Sequence, residues 1–310
     1  MSKTYDIESF YDGLVRHGHI VPVGVDGAFG RGPVFESILE GFNALVSRVA
    51  AADRAETLTF PPVINREILE RVHYLDNFPH LCGAVHSFFG NELESRKLAQ
   101  AANSGEDWGG ALKMTRVVLS PAACYPLYPT ITGILPPRGR LFSMLHWVYR
   151  HEPSREPTRM QSFRVREMVR AGTAEQVVEW RDLWLKRGVD ILTGLGLPAR
   201  SDVASDPFFG RGGKVLGQSQ KEQRLKFEVL VPVISADNPT ALCSFNFHQE
   251  HFGSTFAIRT ADGLTANTAC LGFGLERITM ALLKEHGFDI GKWPSAVQEQ
   301  LWPQGVPVGQ

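Results

Sequence analysis

Cys270 and Arg277 stand seven residues apart in the segment TACLGFGLER (268–277), with Gly272 and Gly274 between them. Two glycines at that spacing let a backbone pass close to a ligand or a crossing strand. Arg277 opens an apolar run over 278–283 that reads as a helix. An arginine at the start of a buried helix suits a phosphate, because its planar fork and the helix N-terminus both favour anions. Upstream, Arg150 and Glu152 form the second candidate pair. Residues two apart on a strand face the same side. Arg150 could then hold an α-phosphate and Glu152 a base or an amine. An isolated pair of this kind is more often an exposed ion pair, so its weight depends on context.

The elements that must carry these residues follow from the apolar spacing. The chain has 310 residues, 43% of them hydrophobic, and a net charge of -1, enough to bury a large core. Residues 1–30 mix Gly, His and Asp with few periodic apolar positions and are expected to be irregular. Helical spacing covers 33–51 and 174–192. Asn65 is placed to cap a helix over 66–72. Strands are expected at 57–64, 112–119, 141–151, 161–169, 225–232, 240–247 and 255–259, with 161–169 returning antiparallel to 141–151. The late strands follow one another through short connections, which favours an antiparallel sheet. Residues 201–224, rich in Gly, Asp and Lys, are either a mobile loop near the site or a surface connection.

Composition limits the function. No stretch approaches the ~20 apolar residues of a membrane span, and the N-terminus lacks the basic and apolar blocks of a signal peptide. A cytoplasmic protein without membrane contact is expected. Cys82, Cys124, Cys243 and Cys270 are widely spaced with no CxxC pair, so they are expected to be thiols or metal ligands. Five arginines lie between Arg155 and Arg170, but Glu152, Glu156 and Glu167 accompany them. That mixture suits a small anion better than a nucleic-acid track.

The segments YRHE (149–152) and TRMQSFRVRE (158–167) resemble motif 2 of class II aminoacyl-tRNA synthetases, and most closely that of the seryl enzymes, where an F-R-x-E strand, a loop and an R-x-H-Q-F strand grip ATP. The resemblance implies an α+β fold, with an antiparallel sheet flanked by helices. It puts Arg150 on the α-phosphate, Glu152 on the adenine amino group, Arg159 and Met160 along ATP, and Phe163 stacked on adenine. Arg277 is similar to the motif 3 arginine on the γ-phosphate. The segments FPPVINR (60–66) and NFPHLCG (77–83) are similar to the region of motif 1, which forms the dimer interface in that class. A homodimer is therefore expected.

Within that frame Cys124, Glu167 and Cys270 fall on segments that reach the active site. Two thiolates and a carboxylate give zinc three protein ligands and leave a fourth position open for an amino group. The set resembles the zinc site of the atypical, metal-dependent seryl-tRNA synthetases, implying one Zn²⁺ per subunit with Glu167 also touching the amino acid. A lone buried cysteine is usually a small core residue, and neither Cys82 nor Cys243 is expected to bind zinc. KFEVL (226–230) and ALCS (241–244) resemble the K-Y-D-L-E and E-I-S-S strands of the seryl enzymes. Lys226 would lie near ATP, and Ala241, Leu242, Cys243 and Ser244 would line its phosphate and ribose side. The chain departs from the pattern near Ala241, where the magnesium-binding glutamate is absent, so the number of Mg²⁺ ions that accompany ATP stays open.

Residues 1–110 hold no sustained heptads, so the coiled coil with which seryl enzymes reach tRNA is not expected, nor is an appended domain after Arg277. The expectation is one catalytic domain over 1–310, a helical or irregular portion at 1–55 and a synthetase-like core at 56–290, with no tRNA-binding domain. Such a chain resembles the amino acid:[carrier protein] ligases. That resemblance covers roughly 55–285 and implies an AMP-forming ligase. It would activate a small amino acid, glycine first and alanine second, and load it on the phosphopantetheine thiol of a carrier protein. Arg150 and Arg277 would be the catalytic pair. A tRNA-charging seryl-type homologue and a non-catalytic synthetase-like regulator are the competing readings. The helix at 174–192 is a candidate carrier-docking surface, although Trp180 and Trp184 suit packing under the sheet better.

Overall fold

The computed structural model describes residues 7–307. Its centre is a seven-stranded sheet in the order Arg200–Val203, Lys226–Val231, Thr240–Gln249, Asn267–Gly274, Ser162–Gly172, Arg140–Tyr149 and Glu56–Thr57. Every neighbouring pair is antiparallel except the short Glu56–Thr57 edge, which runs parallel to Arg140–Tyr149.

Alternation gives the two faces of this sheet different work. Phe245, Leu271, Phe273, Val229 and Met168 point to one face, where they form the main core with the helices Pro33–Ala50, Ala174–Gly194 and Leu275–His286. Trp184, fully buried, lies at the middle of the Ala174–Gly194 helix and donates from Nε1 to Asp53 at 2.8 Å. The Trp180 and Trp184 face is thus spent on packing under the sheet and is not an open docking surface. The opposite face carries polar residues in register. Glu228, Ser244, Gly272 and Glu167 sit directly across from one another on four adjacent strands. Lys226, Asn246 and Cys270 form the next row. A second apolar cluster, including Tyr128, Phe142, Val148, Phe252 and Phe256, encloses this polar face.

Several elements depart from the sequence reading. Residues 7–31 are ordered, with a helix Ile7–Arg16 that buries Phe10 and Leu14 and a hairpin Ile20–Val25/Ala28–Arg31. The hairpin's alternating Val21, Val23 and Val25 face outward, and Gly24 and Gly27 take positive φ at its turn, so its pattern does not read as a buried strand. The strand expected at 57–64 is only Glu56–Thr57 and Val63–Asn65, because Pro61 and Pro62 have no N–H to offer a ladder. Asn65 caps the Arg66–Arg71 helix through the Glu67 amide. The strand expected at 255–259 shrinks to Ile258–Arg259, with residues His251–Thr255 helical and Ala257 left-handed between them. Residues 201–224 are neither a loop nor a simple connection; they contain the end of the edge strand Arg200–Val203 and a helix Gly210–Glu222. Among the described residues no helix is long and apolar enough to cross a membrane.

Candidate active site

The polar face of the sheet is the floor of a cavity of about 470 Å³. One end is cationic. Arg150 leaves the end of the Arg140–Tyr149 strand, donates from Nε to Pro121 O at 3.2 Å, and has its guanidinium 5.7 Å from the centroid of the Phe163 ring. Arg277, the third residue of the Leu275–His286 helix, donates from Nε to Thr158 O at 2.8 Å and from an Nη to Ala241 O at 3.1 Å. Burial, then the neighbouring Arg150, lowers the Arg277 pKa; Glu152 and Glu228 oppose them. An arginine stays charged under such pressure, so an anion between Arg150 and Arg277 would stabilise both. Gly272 makes the close approach on this floor possible: a Cβ there would lie 3.0 Å from Val165 Cγ1.

The other end holds Cys124, Glu167 and Cys270, whose ligand atoms all lie within 4.8 Å of one another. All three residues are buried. Their environment disfavours every anionic form. Burial raises the Glu167 pKa against the pull of Cys124 and Cys270. The Cys270 hydrogen bond, burial and Glu167 push the Cys124 thiol up. The Cys124 hydrogen bond lowers the Cys270 thiol, but burial and Glu167 outweigh it and raise it. Glu167 Oε1 is buried without a hydrogen-bond partner, which a native fold rarely leaves unexplained. Three buried acidic donors, one with an orphaned oxygen, are a set that a cation would complete.

Between the two ends, Lys226 is buried and ion-paired to Asp206 at 2.7 Å and to Glu228 at 3.0 Å. Burial acts to lower the Lys226 pKa, but Asp206 and Glu228 outweigh it and raise it. Asp206 also accepts from Gln220 Nε2 at 2.8 Å, which ties the Gly210–Glu222 helix to the cavity. The rim of that segment is held by Phe208 stacked on Phe78 and by the Phe209 amide donating to Asn77 O at 2.8 Å.

Most of the residues singled out in the sequence converge on this cavity: Arg150, Phe163, Glu167, Lys226, Ala241, Leu242, Cys243, Ser244, Cys124, Cys270 and Arg277 all line it. Glu152, Arg159 and Met160 do not. The strand ends at Tyr149, and the Glu152 amide bonds back to Arg150 O at 2.8 Å, so Arg150 and Glu152 are not two residues on one strand face. Arg159 is drawn to Glu156 at 3.4 Å. The Met160 side chain is 2% exposed and packs into the main core. Asp206, Asn246 and His248 line the cavity without having been anticipated. Asn246 and His248 could have been read from strand parity with Ser244; Asp206 had no sequence signal, since only the fold brings it to Lys226.

No family model matches the chain. The chain is 44% identical over 281 residues to amino acid--[acyl-carrier-protein] ligase 1 of Bradyrhizobium diazoefficiens, covering 90% of this chain and 86% of that one. It is equally similar to ligase 2 of the same organism, covering 84% of that protein. The type-2 serine--tRNA ligase of Methanothermobacter thermautotrophicus is 27% identical over 258 residues; the match takes in 78% of this chain but only 50% of that relative. Among solved structures, M. kandleri SerRS, determined with A. aeolicus tRNASec, superposes with a TM-score of 0.81 at 22% identity, over 99% of this chain and 62% of that one. That likeness carries the class II synthetase-like fold.

Proposed function

The chain belongs to the amino acid--[acyl-carrier-protein] ligases, and from that premise we propose that it converts glycine, or secondarily alanine, to the aminoacyl-adenylate and passes it to the phosphopantetheine thiol of a carrier protein. The observation that carries this reading is one cavity with Arg150 and Arg277 at one end and Cys124, Glu167 and Cys270 at the other.

The first step is attack of the amino-acid carboxylate on the α-phosphorus of ATP, with pyrophosphate leaving. Arg150 and Arg277 offset the charge that spreads over the phosphate oxygens, in a site where fixed donors outperform water. Magnesium accompanies the nucleotide. Phe163 offers a face for the adenine. Cys124, Glu167 and Cys270 fit zinc, and a bound zinc supplies a Lewis-acid position for the substrate amino group. The aromatic walls beside that end, Tyr125 and Phe252, support a small side chain. In the second step the pantetheine sulfur attacks the adenylate carbonyl and AMP leaves. A thiol of pKa ~8.5 holds enough thiolate near neutrality to act without a strong dedicated base.

We read the protein as a homodimer. The Glu92–Ser104 helix, beside the motif 1 region, buries none of its residues, which supports a second copy covering it. The reading of the site is tested by amino-acid-dependent ATP–pyrophosphate exchange across the amino acids. Glycine should give the fastest exchange and alanine the next. Exchange with serine alone would reject the assignment.

A further inference from the structure

The N-terminal hairpin reaches the proposed nucleotide end of the cavity, although no hairpin residue lines it. Its turn is seated on the segment that leads into the returning strand Ser162–Gly172. The Gln161 amide donates to Gly27 O at 2.8 Å, and Gln161 Nε2 donates to Asp26 O at 2.8 Å. Gly27 has φ of 74°, and a Cβ there would lie 3.2 Å from Gln161 Cγ and 3.3 Å from Arg159 O. The turn is therefore both left-handed and tight against its partner, a position for glycine.

Gln161 uses every polar group it has. Its carbonyl accepts from the Arg150 amide at 2.8 Å. Its side-chain oxygen accepts from Tyr149 Oη at 3.0 Å and faces His151 Nδ1 at 3.3 Å. One carboxamide thus holds the residues on both sides of Arg150, and the same residue's backbone holds Arg150 itself. The second arginine anchors on the same short segment, through Arg277 Nε to Thr158 O. At the hairpin's other end, Arg31 donates to Ser162 O at 2.9 Å and pairs with the buried Glu276 at 3.2 Å, next to Arg277 in the chain. Hydrogen-bond networks of this kind fix a geometry, and small misplacements at a reacting centre are expensive in rate.

We propose that Gln161 is a positioning residue for Arg150, buttressed by the Asp26–Gly27 turn of the N-terminal hairpin. The inference rests on the reading of Arg150 as a phosphate-binding arginine. Gln161 itself touches no substrate; it acts by holding the Arg150 backbone and the side chains that flank it.

Gln161→Met keeps the length and apolar stem and removes both hydrogen-bonding ends. In ATP–pyrophosphate exchange it should raise the KM for ATP by about tenfold, and by no more than about a hundredfold, while the KM for the amino acid stays within about twofold. Tyr149→Phe, which deletes one donor to the same oxygen, should shift the ATP KM in the same direction by less. An unchanged ATP KM in folded Gln161→Met overturns the proposal. So does an equal rise in both KM values with a lowered melting midpoint, which is the mark of a purely structural amide. If Gln161→Met does not fold, Tyr149→Phe decides, and an unchanged ATP KM there is the overturning result. Wild-type protein that shows no exchange with any amino acid contradicts the proposed function instead; direct titration of ATP into wild type and Tyr149→Phe then reads the Gln161 effect by itself.

Discussion

His248 lies with Nε2 3.4 Å from Cys270 Sγ and Nδ1 3.0 Å from Thr268 Oγ1, half-buried in the wall of the cavity. Burial lowers its pKa to about 3, so the ring is neutral and carries one proton. If Thr268 donates to Nδ1, the ring proton sits on Nε2 and can be donated to the sulfur. Asn246 Nδ2 adds a second donor to the same sulfur at 3.5 Å. In that tautomer two N–H groups face Cys270 and oppose the burial and the Glu167 charge that raise its pKa.

Partners that orient a metal ligand are typically worth about ten- to a hundredfold in metal affinity. His248→Ala is therefore expected to weaken zinc retention by at least about tenfold in a chelator competition. Wild-type affinity in that variant would show that His248 does not support Cys270.

Asp206 and Lys226 give a pH-dependent signature. Burial acts to raise the Asp206 carboxyl, but Lys226 and Gln220 outweigh it and hold its pKa below the usual carboxylate value. A depressed folded pKa contributes stability above the unfolded value, near ~3.9, and loses it as pH falls through the folded pKa. Lys226→Met removes the cause. Urea unfolding should show wild type more stable than Lys226→Met at pH 7, with the gap narrowing on acidification below about pH 4. A gap that stays constant down to pH 3 would show that Asp206 does not draw its depressed pKa from Lys226.

Trp184 anchors the helix that backs the sheet. It is fully buried and its indole N–H is bonded to Asp53, which Arg187 also holds at 2.9 Å. Trp184→Ala should cost about 3–5 kcal/mol in denaturant unfolding, through the cavity and the lost packing. A loss below about 1 kcal/mol would mean that this helix is not a load-carrying part of the core.

How much of this was legible in the sequence varies by element. The strands around Arg150, Glu167 and Ser244 were readable from an apolar run and from partial alternation. The Asn267–Gly274 strand that carries Cys270 was not, because nearly all of it is buried and its two glycines read as a turn. The meeting of Cys124 with Glu167 and Cys270 came from the family resemblance; spacing alone says nothing about residues so far apart in the chain. The hairpin over 20–31 was hidden because its valines face outward and only Ile20 and Phe29 are buried in the core. Asp206 was hidden by its setting in a glycine-rich stretch that reads as a loop yet closes on Lys226. The pair Arg150 and Glu152 was over-read: their two-residue spacing has meaning only inside a strand, and the strand stops at Tyr149.

The most direct measurement of the central claim is transfer of label from glycine. Supply the chain with ATP, Mg²⁺ and labelled glycine, then offer a phosphopantetheinylated carrier protein and, separately, tRNA. The account predicts label on the carrier as a thioester released by hydroxylamine, none on tRNA, and loss of transfer in Cys270→Ser together with loss of zinc. Label on tRNA with none on the carrier, or full transfer by a Cys270→Ser protein that holds no zinc, would contradict it.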